Sequence, residues 1–199
     1  MVCYDYGMKP LVLASGSVGR KQLLDDIGAD FRVVVSEYEE DMTLDMLPAD
    51  LALYLSQGKA RDVAAREKGV IILGADSFAV CDGKLLGKPH TIQRATEMLT
   101  ILSGRMHSFV TGFTIIDSDT MREYSASQIT DVYFRELSAD DISQYLARED
   151  VMSNAGAYRV QGLGGLLVER IDGSFSNIVG LPMASVATAL RDFDIDLLE

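Results

Sequence analysis

The sequence predicts an α/β fold, and three observations carry that expectation. Short apolar runs, Leu11-Val12-Leu13-Ala14 and Val70-Ile71-Ile72-Leu73, each adjoin a stretch with helical apolar spacing. Asp82-Gly83 between two short apolar segments marks a β-hairpin. A β-branched stretch from Met106 to Ile116 turns at Asp117 to Thr120 and returns through Ile129 to Phe134, as a long antiparallel pair does. The 199 residues suit one large domain or two intimate lobes. A composition of 48% hydrophobic and 24% charged residues excludes a disordered or low-complexity chain.

In chain order, Leu11 to Ala14 reads as a strand ending in Ser15-Gly16-Ser17, and Leu23, Leu24 and Ile27 then recur at helical spacing up to Gly28. Val33-Val34-Val35 reads as a second strand running into the acidic stretch Glu37-Tyr38-Glu39-Glu40-Asp41. Pro48 suits a first helical position, and Leu51, Leu55, Lys59 and Val63 share one face of the helix that follows, with Gly69 as its stop. Lys59 therefore sits on the buried stripe, either snorkelling to its rim or meeting an anion. Val70 to Leu73 reads as a buried strand, ended by Gly74-Ala75 and delivering Asp76. The hairpin returns Gly87-Lys88-Pro89 towards it. Thr91 caps a helix to Gly104, Ser138 with Asp141 forms a capping box, Leu166 to Ile171 is a strand, and Pro182 opens a helix to Phe193.

Charge and cysteine usage narrow the function classes. Eighteen Lys and Arg stand against 30 Asp and Glu, a net charge of −12, which opposes a non-specific grip on a nucleic-acid polymer or an anionic membrane. Cys3 and Cys81 have no metal-ligand spacing and make no disulfide framework, as in a reducing compartment. Residues 1–10 read as an N-terminal extension without an apolar signal core, and no run approaches the ~20 residues of a membrane span, so a cytoplasmic location is expected.

Several motifs fail on inspection. Gly83 to Pro89 is one residue short of a P-loop and carries Pro89 where a metal-binding hydroxyl belongs. Gly162, Gly164 and Gly165 lack dinucleotide spacing. His90 and His107 are the only histidines, leaving triad chemistry little to work with, and both read as structural. What survives is suited to phosphate: Ser15 and Ser17 at a helix N-terminus, Arg20 and Lys21 in its first turn, Lys59, and Lys88. Cations in a first turn oppose the helix dipole, which a bound polyphosphate would resolve; a solvated basic turn is the alternative. Glu40 and Asp76, both at predicted strand ends, are either surface carboxylates or the pair that holds Mg²⁺ through one or two oxygens.

From Leu11 to about Leu190 the chain resembles the Maf family. The likeness rests on Leu13-Ala14-Ser15-Gly16-Ser17 with Arg20, on Glu40, Lys59-Ala60, Gly74-Ala75-Asp76 and Gly87-Lys88-Pro89, on Ala155-Gly156-Ala157-Tyr158 with Gln161-Gly162, and on the run Gly173 to Pro182. The resemblance implies a cytoplasmic nucleoside triphosphate pyrophosphatase that cleaves between the α and β phosphates. It implies a mixed, curved β-sheet with flanking helices, two lobes around a central cleft within one domain over residues 1–199, and a homodimer. In those terms Asp76 is the proton acceptor and Glu40 assists the metal, Mg²⁺ or Mn²⁺, which both carboxylates hold. Arg20, Lys59 and Lys88 bind and polarise the triphosphate, with Ser15, Ser17, Lys21 and Ser176 also on the substrate.

The family resemblance also bears on base choice. In the branch acting on dTTP and UTP an Arg stands two residues after the second Ser, a Thr follows the catalytic Asp, and a Gln occupies the place of Gln161. Ser77 keeps the hydroxyl and Gln161 is present, so pyrimidine triphosphates are expected. The departure is Ser17-Val18-Gly19-Arg20, where the family reads Ser-Pro-Arg-Arg. Gly19 lacks a guanidinium, worth on the order of tenfold to a hundredfold in binding, and an arginine there is expected to raise turnover. The competing function is a nucleotide-binding regulator of division or septation with weakened chemistry.

Overall fold

The computed structural model describes residues 9–199; Cys3 and most of the 1–10 extension lie outside the described residues. Among the described residues seven strands form one mixed sheet: β1 (Leu11–Leu13), β2 (Phe31–Val33), β3 (Ile71–Cys81), β4 (Lys84–Leu86), β5 (Met106–Asp117), β6 (Glu123–Phe134) and β7 (Val168–Asp172), in the order β2-β1-β3-β5-β6-β7 with β4 also on β3. β1 pairs in parallel with β2 and β3, and the other pairings are antiparallel. The helices are α1 (Val18–Asp26), α2 (Pro48–Ala64), α3 (Ile92–Leu102), α4 (Ala139–Leu146), α5 (Phe175–Val179) and α6 (Met183–Arg191).

The second strand covers Phe31–Val33 rather than Val33 to Val35, because its parallel ladder stops where β1 stops, at the Leu13 to Val33 pair. The strand expected to end at Gly74 instead continues to Cys81, which places Asp76 mid-strand and not at a strand end. Gly74 is a close-approach glycine: a Cβ there would lie 2.9 Å from the Ser56 carbonyl oxygen and 2.8 Å from the Ala60 Cβ. At Gly112, the cross-strand partner of Asp76, a Cβ would meet the Ala52 backbone at 2.3 Å. These two bare positions let α2 lie directly on the sheet. The Asp82-Gly83 turn takes positive φ at both residues, 49° and 74°, as a two-residue hairpin requires.

β7 begins at Val168, later than Leu166, because Gly162–Leu167 winds as a 3₁₀ helix; a shorter 3₁₀ turn spans Ala155–Ala157. Ser138 and Asp141 form the reciprocal capping box, and Thr91 caps α3.

One face of the long strands carries two hydrophobic clusters. Leu73, Ala75, Phe113 and Ile115 pack with Leu24 of α1 and Val186 of α6 at one end, and Ala79, Phe109 and Val132 pack with α3 and α4 at the other. Between them the alternation along β3 and β5 puts Ser77 and Thr111, directly paired across the strands, so a polar belt divides the two clusters.

Candidate active site

The site lies where β3 loses its neighbour. β1 pairs with β3 only as far as Leu73, and β4 takes up the same edge at Ala79. Leu73 turns its carbonyl to that edge, accepting from the Ala14 N–H, and by the two-residue alternation Ala75 and Ser77 present their main-chain groups to the gap. Asp76 and Ser77 thus form the floor of a break in the ladder. Beyond β1 the chain passes Ser15 into α1, while beyond β4 it passes Gly87 and Lys88, so both ends of the gap bring a basic residue to it.

From the α2 side, Lys59 is buried, and its Nζ lies 2.5 Å from Asp76 Oδ1 and 2.7 Å from Glu40 Oε1. The helical stripe that put Lys59 among apolar residues aims it at this pair. Burial raises the Glu40 pKa, but the charges of Lys59, Lys88 and Arg20 outweigh it and hold the carboxyl below its ordinary value. Lys88 itself is exposed and acts here through its charge.

From the opposite face, Arg20 is buried and held at three points. Its Nη1 donates to Ser15 Oγ, its Nη2 to Ser77 Oγ and its Nε to the Gly180 carbonyl, each at 2.9 Å. Gly180 has φ 129°, and a Cβ there would sit 3.2 Å from Arg20 Cγ. Burial lowers the guanidinium pKa, and nearby Asp76 and Glu40 oppose that shift. A buried guanidinium with only neutral hydrogen-bond partners is a charge suited to an incoming anion.

The remaining expected residues are placed less uniformly. Ser17 caps α1, its Oγ accepting from the Arg20 N–H at 3.5 Å, while Ser15 Oγ accepts from the Ser17 N–H. Ser176 Oγ accepts from the Met183 N–H and meets Ser174 Oγ, closing the turn between α5 and α6. Lys21 is committed elsewhere, 2.6 Å from Asp25 and over the Phe31 ring on the exposed side of α1. Gln161 is half-buried and opens the 3₁₀ helix Gly162–Leu167, following the turn whose Gly156 N–H donates to the Gly87 carbonyl.

Gly19 faces a steric condition that its sequence did not show. A Cβ at this position would lie 2.8 Å from the Val179 carbonyl oxygen, because α5 packs against α1 there. An arginine at 19 therefore requires α5 to move before its guanidinium can reach any ligand. The sequence reading also missed Thr111 and Asn177, both fully buried; the polar interruption of an apolar β-branched strand at Thr111 was the available signal.

His107 is buried, with Nε2 2.9 Å from Tyr158 Oη and its ring edge-on to Phe134, and His90 is exposed; neither is among the groups that converge on the gap. Among the described residues no group of three or more His, Cys, Asp or Glu is placed to hold a metal ion. The hard-oxygen pair Glu40 and Asp76 still matches the donors that Mg²⁺ takes from protein when phosphate and water complete its shell. Lys59 engages one oxygen of each carboxylate, Glu40 Oε1 and Asp76 Oδ1.

Comparison with known proteins bears on this arrangement. The family model described as Maf-like protein matches residues 10–193. The chain belongs to the Maf family. Among curated relatives of this Maf chain, proteins named dTTP/UTP pyrophosphatase from Methanococcoides burtonii, Alkaliphilus oremlandii and Methanosarcina mazei are 42%, 39% and 40% identical over 193 residues. Each alignment spans 96% of this chain and 98–100% of the relative. Among solved structures, a HAM1 protein from Coxiella burnetii aligns at 13% identity over 93% of this chain and 100% of that one, with a TM-score of 0.46. That likeness is too loose to add to the fold read from the strand order.

Proposed function

We propose that this chain is a nucleoside triphosphate pyrophosphatase that converts a nucleoside triphosphate to the monophosphate and pyrophosphate, acting on dTTP, UTP or modified pyrimidine nucleotides. The observation that carries this reading is the convergence of Lys59, Glu40 and Asp76 with buried Arg20 in one break of the sheet. Attack of water on a phosphoryl centre needs a positioned proton acceptor and neutralisation of charge on the nonbridging oxygens. Asp76 takes the proton of the attacking water. Lys59, paired with Asp76 Oδ1 and Glu40 Oε1, fixes the carboxylate beside the anionic substrate. Arg20 and Lys88 bind the phosphate chain from the two ends of the gap.

Glu40 and Asp76 would hold Mg²⁺ or Mn²⁺, which supplies charge neutralisation at the phosphoryl oxygens. The pyrimidine preference draws on the relatives being dTTP/UTP pyrophosphatases by name and on the presence of Gln161. The arrangement of two lobes around a cleft follows from the family resemblance. A homodimer and a cytoplasmic setting follow from the family resemblance, the latter also from the sparse cysteines; among the described residues no helix is long and apolar enough to cross a membrane. The second reading, a nucleotide-binding regulator of septation with weakened chemistry, is favoured by Gly19 alone.

A panel of canonical and modified triphosphates, incubated with purified protein and Mg²⁺ or Mn²⁺, tests the proposal by product analysis. Pyrophosphate with the nucleoside monophosphate is the expected outcome, fastest with pyrimidines. Orthophosphate as the sole inorganic product contradicts it, and nucleotide binding without product selects the regulator.

A further inference from the structure

We infer that Thr111 and Ser77 are positioning residues for Arg20, an assignment that rests on the triphosphate reading above. The two are cross-strand partners, and the β3 and β5 residues flanking them on that face, Ala75, Ala79, Phe109 and Phe113, are apolar. Hydroxyls placed there are costly unless each is bonded, and their bonds have a single direction of purpose. Thr111 is fully buried; its Oγ1 lies 2.9 Å from Ser77 Oγ and 3.1 Å from the Asn177 carbonyl. Ser77 Oγ accepts from both Thr111 and Arg20 Nη2, and its own proton faces the Gly180 carbonyl at 3.5 Å. In this arrangement the Ser77 hydroxyl is engaged by Arg20 and by Thr111, and so serves to hold the guanidinium.

Asn177 anchors the far end of the belt. Its Nδ2 lies within hydrogen-bonding distance of the Phe109 and Gln128 carbonyls and of Thr130 Oγ1, tying α5 to β5 and β6. The chain leaving α5 then offers the Gly180 carbonyl to Arg20 Nε. Acceptors on Nε, Nη1 and Nη2 fix the plane of the guanidinium and leave its remaining N–H groups for phosphate. Such prior fixing is what a cation needs in order to favour one geometry of the phosphate chain.

The test is a double-mutant cycle read in binding. Calorimetric titration with inorganic tripolyphosphate in Mg²⁺ compares the wild-type protein with Thr111→Val, which removes the hydroxyl and keeps the shape, and with Thr111→Ser, which retains it. All three are repeated in an Arg20→Ala background. Expected is a weakening on the order of tenfold in Thr111→Val, binding within about twofold of wild type in Thr111→Ser, and no effect of Thr111→Val once Arg20 is absent. Equal weakening with and without Arg20, or wild-type binding by Thr111→Val, overturns the inference. Should Thr111→Val fail to fold, Ser77→Ala enters the same cycle with the same expected loss. Hydrolysis is not read here, so a protein that binds tripolyphosphate yet releases no pyrophosphate from UTP would refute the functional reading while the cycle still decides the role of Thr111.

Discussion

Burial alone would push the Glu40 carboxyl up, and the Lys59 ammonium 2.7 Å away, with Lys88 and Arg20 behind it, brings it below its ordinary value. Activity that needs ionised Glu40 therefore persists to lower pH than an isolated glutamate would allow. In Lys59→Met the nearest opposing charge is gone, so the acid limb of the pH–rate profile moves to higher pH along with the loss of rate; a limb at unchanged pH would show that Lys59 does not govern Glu40. Gly19 shows how one residue can constrain two elements. Since any side chain there meets the Val179 carbonyl, Gly19→Arg is expected to cost the roughly 1–3 kcal/mol of stability typical of overpacking, seen as a lower melting temperature, and not to raise dTTP or UTP turnover. Faster turnover with an unchanged melting temperature would restore the simpler account of a missing guanidinium.

At the scale of elements, the packing of α2 on β3 and β5 delivers Lys59 to Asp76. Gly74 and Gly112 make that contact possible, Gly112 as the direct partner of Asp76. Gly112→Ala forces a methyl into the Ala52 backbone, and a loss of about 3 kcal/mol is expected, seen as a fall in Tm of roughly 6–12 °C. A neutral result would mean that α2 is not held at this distance. The helical period of residues 48–64 made Lys59 legible, as the Thr91 and Ser138 caps and the Asp82-Gly83 turn made their elements legible. Gly74 misled because a glycine after four apolar residues looks the same whether it ends a strand or admits a helix. The five-residue α5 is too short to show a period, and the Ser77–Thr111 pairing depends on a register set by residues 34 positions apart. Local pattern finds the chemistry-bearing residues; which face each one reaches is decided by partners far along the chain.

For the whole molecule, the buried His107 sets an acid limit on stability that is independent of the active site. Burial pulls its pKa to about 4 from 6.5, with Asp131 opposing, and Tyr158 Oη is its hydrogen-bond partner. The unfolded chain binds the extra proton between those values, so stability falls as pH falls from about 6.5 to 4, by about 3 kcal/mol in full. Thermal melts across that window should lose this slope in His107→Gln, and a retained slope would assign it to other groups. The larger claim is that an acidic molecule concentrates three cations around two carboxylates at one break in its sheet, in order to cleave a polyanion there. Asp76→Asn tests it most directly, with nucleotide binding and pyrophosphate release from UTP measured on the same preparation. The account predicts that the variant binds nucleotide while its turnover falls by roughly a hundredfold to ten-thousandfold. Full turnover in Asp76→Asn would contradict it.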